Sequence, residues 1–421
     1  MQPADIGPIS PADQTQSTLD LFLIFVGANV VATTFQVGAS LTASFTLRAA
    51  IALSVVGSIA GAALVAALAP IGPRLRVPSV IAARPALGVR GAGLVAVFLY
   101  LSNFAWIALN NVIAASACVR VVGVSTALGA RGSASAWAIA LGIVATVIVW
   151  RGPRAVARAD RVAVPLMMLV AVALTIACFR VGPTLAETPP AATTRWWQGL
   201  DIVVGYQVSW ILMFADYSRY TRSIRGSAAA VFIGLALTSA WMMPLGAVAA
   251  RAAGSTDPGA MLGAVGLGAA GALLLTVATL TTNFVNIYMS SLAWKSLFPK
   301  ARDGAVIGSI GLIGTALSAV PGVWLEQYTN FMTGLAAILV PVGGILIAHY
   351  YFGRTNSGDT VIADLYDAAG PFRGVNVAGV AAWAAGTAAF FAAGRLGGTV
   401  PALAASVVVY VTLRRARSAA V

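Results

Sequence analysis

The residues best suited to chemistry in this sequence are uncharged. Asn103, Asn110 and Asn111 surround Trp106 within one long apolar run, and Thr279, Thr281, Thr282, Asn283 and Asn286 cluster in another. An amide both donates and accepts, so it can match the edge of a neutral, amide-like heterocycle without burying a net charge. An indole beside such amides offers a stacking face worth about 0.5–1.5 kcal/mol beyond burial. Thr281 and Thr282 supply hydroxyl oxygens, the hard ligands a sodium ion takes. The same hydroxyls can equally bond back to carbonyls of their own helix, and Asn110 and Asn111 can equally serve as glue between helices. Carboxylates are scarce: Asp201 and Asp216 fall near the ends of one apolar run, where Asp216 with Arg219 suits a closing cap. His349, the only histidine, stands at the end of a run beside Tyr350 and Tyr351, a place that fits an interface better than a proton relay. Cys118 and Cys178 lie in apolar surroundings and read as packing residues.

The elements that carry these residues must be membrane-spanning helices. Of 421 residues 59% are hydrophobic and 9% charged, too little charge to cover a soluble domain, and the mean hydropathy is +0.88. A crossing of ~30 Å of hydrocarbon needs about 20 apolar residues. Twelve such segments are predicted, at about 20–45, 49–70, 92–115, 134–150, 162–182, 199–217, 227–250, 260–294, 304–322, 330–351, 374–394 and 398–413. Helices are required because lipid offers no partner for backbone amides. With both termini inside, 19 of the 26 Lys and Arg fall on the cytoplasmic side, the bias that orients inner-membrane proteins. The +13 net charge is thus an orientation signal, and nucleic acid is not an expected partner. Residues 1–18 form a cytoplasmic tail with no Lys or Arg; lacking the basic region of a cleaved signal, it implies a retained first helix.

Two of these segments carry interruptions that a plain anchor would not need. The first contains Gly27-Ala28-Asn29 followed by Thr33, Thr34, Gln36 and Gly38, and the sixth contains Gly205-Tyr206-Gln207 and Ser209. Glycine-interrupted helices five spans apart are the sequence sign of an inverted repeat whose broken helices build a midplane binding site; the same glycines also suit ordinary close packing of helices. An enzyme would need converging ionisable or metal-binding groups at depth, and a channel a filter loop or charged ring. Neither pattern is present in the sequence.

Four short motifs, taken together in order, resemble the nucleobase:cation symporter-1 family over essentially the whole chain. They are Ala83-Arg84-Pro85-Ala86-Leu87-Gly88-Val89-Arg90-Gly91, Ala215-Asp216-Tyr217-Ser218-Arg219-Tyr220, Thr281-Thr282-Asn283 with Tyr288, and Pro341-Val342-Gly343-Gly344. The resemblance implies an all-α, leucine-transporter-type fold: a 5+5 inverted repeat over about 20–182 and 199–351, two peripheral helices over about 374–413, and a cytoplasmic tail at 414–421. It places the family's stacking tryptophan on Trp106 and its reading amide on Asn103, and it implies sodium held by carbonyls of Gly27, Val30 and Ala278 with the hydroxyls of Thr281 and Thr282. The family's second stacking aromatic falls on Gln207, which leaves Tyr206 or Trp210 to supply that ring. The expected substrate-binding set is therefore Trp106, Asn103, Gln207, Tyr206, Ser209, Trp210, Asn283 and Gln36. The expected function is sodium- or proton-coupled uptake of a nucleobase, with a thiamine precursor such as hydroxymethylpyrimidine, hydantoin or allantoin, or an amino acid as alternatives. No cofactor and no obligate protein partner are expected beyond the coupling ion, the small neutral substrate and the bilayer.

Overall fold

The computed structural model describes residues 6–181, 194–353, 359–367 and 369–419, so most of the predicted junction between the repeats and the end of the C-terminal tail lie outside the described residues. The described residues are predominantly helical. The main helices are α1 (Thr18–Asn29), α2 (Ala32–Leu41), α3 (Leu47–Leu68), α4 (Arg84–Val122), α5 (Gly129–Trp150), α6 (Pro153–Val181), α7 (Trp196–Val208), α8 (Phe214–Ser218), α9 (Ile224–Ala253), α10 (Gly268–Leu297), α11 (Asp303–Leu317), α12 (Tyr328–Phe352), α13 (Val377–Ala392) and α14 (Thr399–Ala419). Side-chain caps set several starts. Ser17 and Asp20 form a reciprocal capping box on α1, Thr46 caps α3 and Ser223 caps α9, each cap contributing about 1 kcal/mol.

Among the described residues eight helices are long and apolar enough to cross a membrane, and the bent pair α1 and α2 makes a ninth. Besides the bent first span, three predicted spans do not pass as single long helices. Helices α11 and α13 have 15 and 16 residues, and the sixth segment is divided into α7, a tighter 3-10 stretch over Ser209–Met213, and α8. The predicted eighth segment is also divided: Asp257 caps a short helix, Pro258–Ala264, which ends in a turn around Gly266 before α10 begins.

The helices form two bundles. One joins α1, α2, α3, α7 and α9; the other joins α4, α5, α10 and α11, with α4 against α10 as its main seam. Helix α12 leans on α7 and α14, and α13 pairs with α14. Large apolar side chains such as Val162, Leu169, Phe179, Leu312 and Phe391 are exposed on the outside, as lipid-facing residues must be.

The two predicted interruptions turn out differently. Helix α1 stops at Asn29, and α2 resumes at Ala32 with a bend of 57°, one step beyond the predicted Gly27-Ala28-Asn29. At Gly205, by contrast, α7 runs on unbroken through Val208. Gly205 serves close packing, since a Cβ there would collide with the Met332 carbonyl of α12. The motif around Gly88 has a structural use as well. Gly88 has φ +80, inside the region that penalises any side chain, and a Cβ would lie 2.6 Å from both Asn376 N and Gly374 O. This turn lets the segment before α13 dock by three backbone bonds: Val89 N to Phe372 O, Arg90 N to Gly374 O, and Asn376 N to Leu87 O.

Candidate substrate and cation site

Between the two bundles lies a cavity of about 730 Å³. Helices α1, α7 and the 3-10 stretch contribute Gly27, Tyr206, Ser209 and Trp210 from one bundle, while α4 and α10 contribute Trp106, Thr281 and Thr282 from the other. Trp106 is 7% exposed and Tyr206 4%. Their rings meet edge to face, and Phe331 of α12 also packs edge to face against the indole. On the side away from the chain's N-terminus, Tyr328 donates to the Thr33 carbonyl at 2.8 Å and Gln36 Nε2 donates to the Thr256 carbonyl at 2.9 Å. These contacts close that end. At the opposite end Ile9, Asp13, Thr15 and Gln16 of the N-terminal segment join Asp216 and Tyr220 in its wall, and Asp13 and Thr15 are exposed there.

The N-terminal segment is fixed at this mouth. The side-chain amide of Gln14 donates to three carbonyls, of Pro73, Arg219 and Thr221, at 3.0–3.1 Å. Arg219 donates to the Gly7 carbonyl and to the Tyr220 hydroxyl. Asp216 accepts from the Ser79 hydroxyl at 2.6 Å, so the motif from Ala215 to Tyr220 ties the tail and the α3–α4 connection to the end of the divided sixth segment.

Seven of the sequence-predicted residues therefore line the same cavity: Trp106, Tyr206, Ser209, Trp210, Gly27, Thr281 and Thr282. The others are placed elsewhere. Gln207 points away from the cavity, its Nε2 3.5 Å from the Leu235 carbonyl of α9 and its Cβ facing Gly61 of α3. One residue along a helix turns a side chain by about 100°; this puts Tyr206 in the wall and Gln207 in the bundle. Asn283 is spent in an amide ladder: it accepts from Asn110 at 3.2 Å and donates to Asn111 at 2.8 Å, and Asn111 donates to Ser318 at 3.0 Å. Gln36 is taken up by Thr256 in the closed end. Asn103, Val30 and Ala278 are buried without lining the cavity.

Asn103 nevertheless stands directly behind it. The Asn110 to Asn283 bond and the Tyr100 to Trp294 ring contact set an antiparallel register between α4 and α10, and this register places Asn103 opposite Ser290. Among the described residues both amide atoms of Asn103, Nδ2 of Asn286 and Oγ of Ser290 are buried without a hydrogen-bond partner, a costly state. Asn286 lines the cavity. Its position had a sequence signal, because it lies four residues after Thr282 and so on the same helix face. The tail residues at the mouth had none, since nothing in an apolar-run reading ties a polar segment to a pore.

The oxygens assigned to a cation come from two helices. Helix α1 ends at Asn29, and a helix end leaves its last carbonyls unpaired; among the described residues those of Gly27 and Val30 accept no backbone bond. Opposite them Thr281 and Thr282 both donate to the Ala278 carbonyl, at 2.9 and 2.8 Å. Val31, Met167 and Ala278 pack together and hold the break against α10. This donor set is all oxygen and suits a hard monovalent ion. Among the described residues no group of three or more His, Cys, Asp or Glu forms a metal cluster.

A paired-bundle fold with a broken first helix, a divided sixth segment and a cavity between the bundles is the architecture of a membrane transporter. A family profile described as "Permease for cytosine/purines, uracil, thiamine, allantoin" matches residues 8–411, and the chain belongs to this nucleobase:cation symporter family. It is a permease rather than an enzyme. Similar proteins include the putative purine-cytosine permease YxlA of Bacillus subtilis, 26% identical over 85% of this chain and 80% of the relative. The cytosine permease of Escherichia coli K12 is 25% identical over 83% of this chain and 81% of the relative. Among solved structures, the inward-facing conformation of Mhp1 superposes with a TM-score of 0.85 at 18% identity, covering 100% of this chain and 94% of that one. Mhp1 closed with bromovinylhydantoin bound gives 0.81 at 19% identity, covering 99% and 95%. These structures share the fold of this chain.

Proposed function

We propose that this protein takes up a small uncharged nucleobase-type heterocycle across a bacterial-type inner membrane, coupled to a cation gradient, by alternating access of the two bundles. The observation that carries the substrate class is the buried Trp106 with unpartnered amides beside it and, among the described residues, no Lys or Arg in the cavity wall. A flat neutral ring stacks on the indole, and Asn286, with Asn103 behind it, reads the edge. The names of the cytosine permease relatives and the family description support the same class.

Twelve crossings fit the eight long helices, the bent α1 and α2 pair, the divided sixth segment, α11 and α13. In this reading the first five and next five crossings form inverted repeats, α13 and α14 are peripheral, and both termini are cytoplasmic, in line with the distribution of Lys and Arg. The cavity, which opens beside the N-terminal segment, then faces the cytoplasm, and the closer superposition on the inward-facing relative supports this state. Sodium is the coupling ion, held by Gly27, Val30, Ala278, Thr281 and Thr282.

The test is thermal stabilisation of the purified protein by cytosine, uracil, allantoin, hydroxymethylpyrimidine and amino acids, followed by uptake of the best ligand into proteoliposomes. Uptake that needs a sodium gradient supports the reading. Uptake unchanged by replacing sodium, yet abolished by collapsing a proton gradient, overturns the sodium assignment; stabilisation by amino acids alone overturns the substrate class.

A further inference from the structure

Thr34 stands where the break of the first span meets the wall of the cavity. It lies in the first turn of α2, fully buried. Its hydroxyl oxygen is 2.5 Å from the Asn29 carbonyl and 2.5 Å from the Tyr206 hydroxyl. A threonine hydroxyl has one proton, and a carbonyl only accepts, so that proton goes to Asn29. Tyr206 must then donate to Thr34. The chain runs from the Tyr206 phenol, whose ring packs on Trp106, through one hydroxyl, to a carbonyl that lies between Gly27 and Val30 in the last turn of α1.

Both ends of this chain are held. The Asn29 side chain donates to Thr238 Oγ1 and Ser239 Oγ, each at 2.7 Å, and reaches the Leu235 carbonyl at 3.3 Å, so α9 fixes the end of α1. Tyr206 is fixed by Trp106 and by the rigid helix on which it rides. Among the described residues Thr34 bonds both the carbonyl turn assigned to the cation and the aromatic wall assigned to the substrate. Its bonds lie in a dry interior, where a lost hydrogen bond leaves its partner unsatisfied.

We propose that Thr34 is the positioning residue that couples the cation to the substrate. An ion that draws the carbonyls of Gly27 and Val30 inward turns the Asn29 peptide with them, and Thr34 passes that displacement to the Tyr206 ring. By linkage, a substrate that orders Tyr206 favours the ion by the same factor. The inference rests on the cation reading above.

The test uses sodium alone, on the full-length protein at constant pH, with N-methylglucamine as the control cation and amide hydrogen exchange as the readout. In wild type, sodium is expected to slow exchange both across the α1 break, residues 26–33, and around Tyr206, residues 203–213. In Thr34→Val, which keeps the shape and removes the hydroxyl, protection at the α1 break persists and protection around Tyr206 is lost. Tyr206→Phe cuts the same chain from the other end and gives the same split, while Thr34→Ser restores both. Wild type unprotected at the α1 break overturns the cation reading and this inference with it; wild type protected there but not around Tyr206 overturns the inference alone. Both sites protected in Thr34→Val overturns the inference alone. Loss at both sites places Thr34 in the cation site itself, and that also overturns it.

Discussion

Trp106 and Tyr206 meet edge to face across the cavity, ring centroids 5.7 Å apart and planes at 81°. They belong to different bundles, Trp106 to the one seamed by α4 and α10, Tyr206 to the one that contains both interrupted segments. In the proposed rocking of the bundles such a contact would be made and unmade, and a ring slotted beside the indole would be held only while both walls are present.

Trp106→Ala removes the stacking face and opens the closed end, because Phe331 also rests on the indole, 5.2 Å between centroids. Loss of stacking and burial together is expected to weaken substrate binding by about tenfold or more, with Trp106→Phe intermediate. Ligand-dependent thermal shifts measure this. A folded Trp106→Ala protein with wild-type affinity would remove the indole from the site.

Replacing Thr281 and Thr282 together by valine deletes two hydroxyls that now bond only the Ala278 carbonyl and, for Thr281, the Met167 sulfur. Local back-bonds of this type add little to helix stability, so the fold is expected to survive. The sodium concentration for half-maximal uptake should rise about tenfold or more if each hydroxyl is an ion ligand. An unchanged sodium dependence in the double variant would show that back-bonding is all these hydroxyls do.

Much of this site was legible before any coordinates. As lining, Trp106, Thr281 and Thr282 follow from polar groups at midspan, a costly placement that needs a reason, and Gly27, Tyr206 and Ser209 from the two interrupted segments, while Trp210 and the cation role of Gly27 came only with the family resemblance. What periodicity alone could not supply was rotation. Tyr206 and Gln207 are neighbours in sequence but differ by a third of a turn, and only packing against Gly61 and Leu235 decides which faces inward. Asn283 and Asn286 differ in the same way: the first falls on the seam with α4 and the second on the open face. Gly205 shows a further limit, since a glycine that breaks a helix and one that admits a neighbouring backbone look alike in sequence.

Asp201 shows that a buried charge in this protein can be purely architectural. Its carboxylate accepts from Gly398 N at 2.7 Å and from Thr399 N and Oγ1 at 2.9 and 2.7 Å, so α7 caps the start of α14. Asp201→Ala leaves three buried donors without an acceptor and should cost about 2–4 kcal/mol. The expected result is a lower melting temperature with unchanged substrate affinity in the folded fraction. A variant as stable as wild type would contradict the capping role.

Gly205 offers a handle on the conformational equilibrium. Helix α12 approaches α7 so closely that a Cβ at 205 would run into the Met332 carbonyl, and the next atom it would meet is Ala336 Cβ at 3.4 Å. One turn away Tyr328 bonds the Thr33 carbonyl, and Phe331 covers Trp106, so this contact helps close the end remote from the N-terminal segment. Gly205→Val should push α12 outward and shift the population toward forms open on that side. Cys118 and Cys178 are free and buried, and a Cys118→Ser/Cys178→Ser background lets a single Phe331→Cys probe report. Labelling of that cysteine by a membrane-impermeant maleimide should rise several-fold in Gly205→Val and stay low with Gly205 in place. Equal labelling in two folded proteins would mean that α12 does not gate this end, and that its contact with Gly205 only packs the helices.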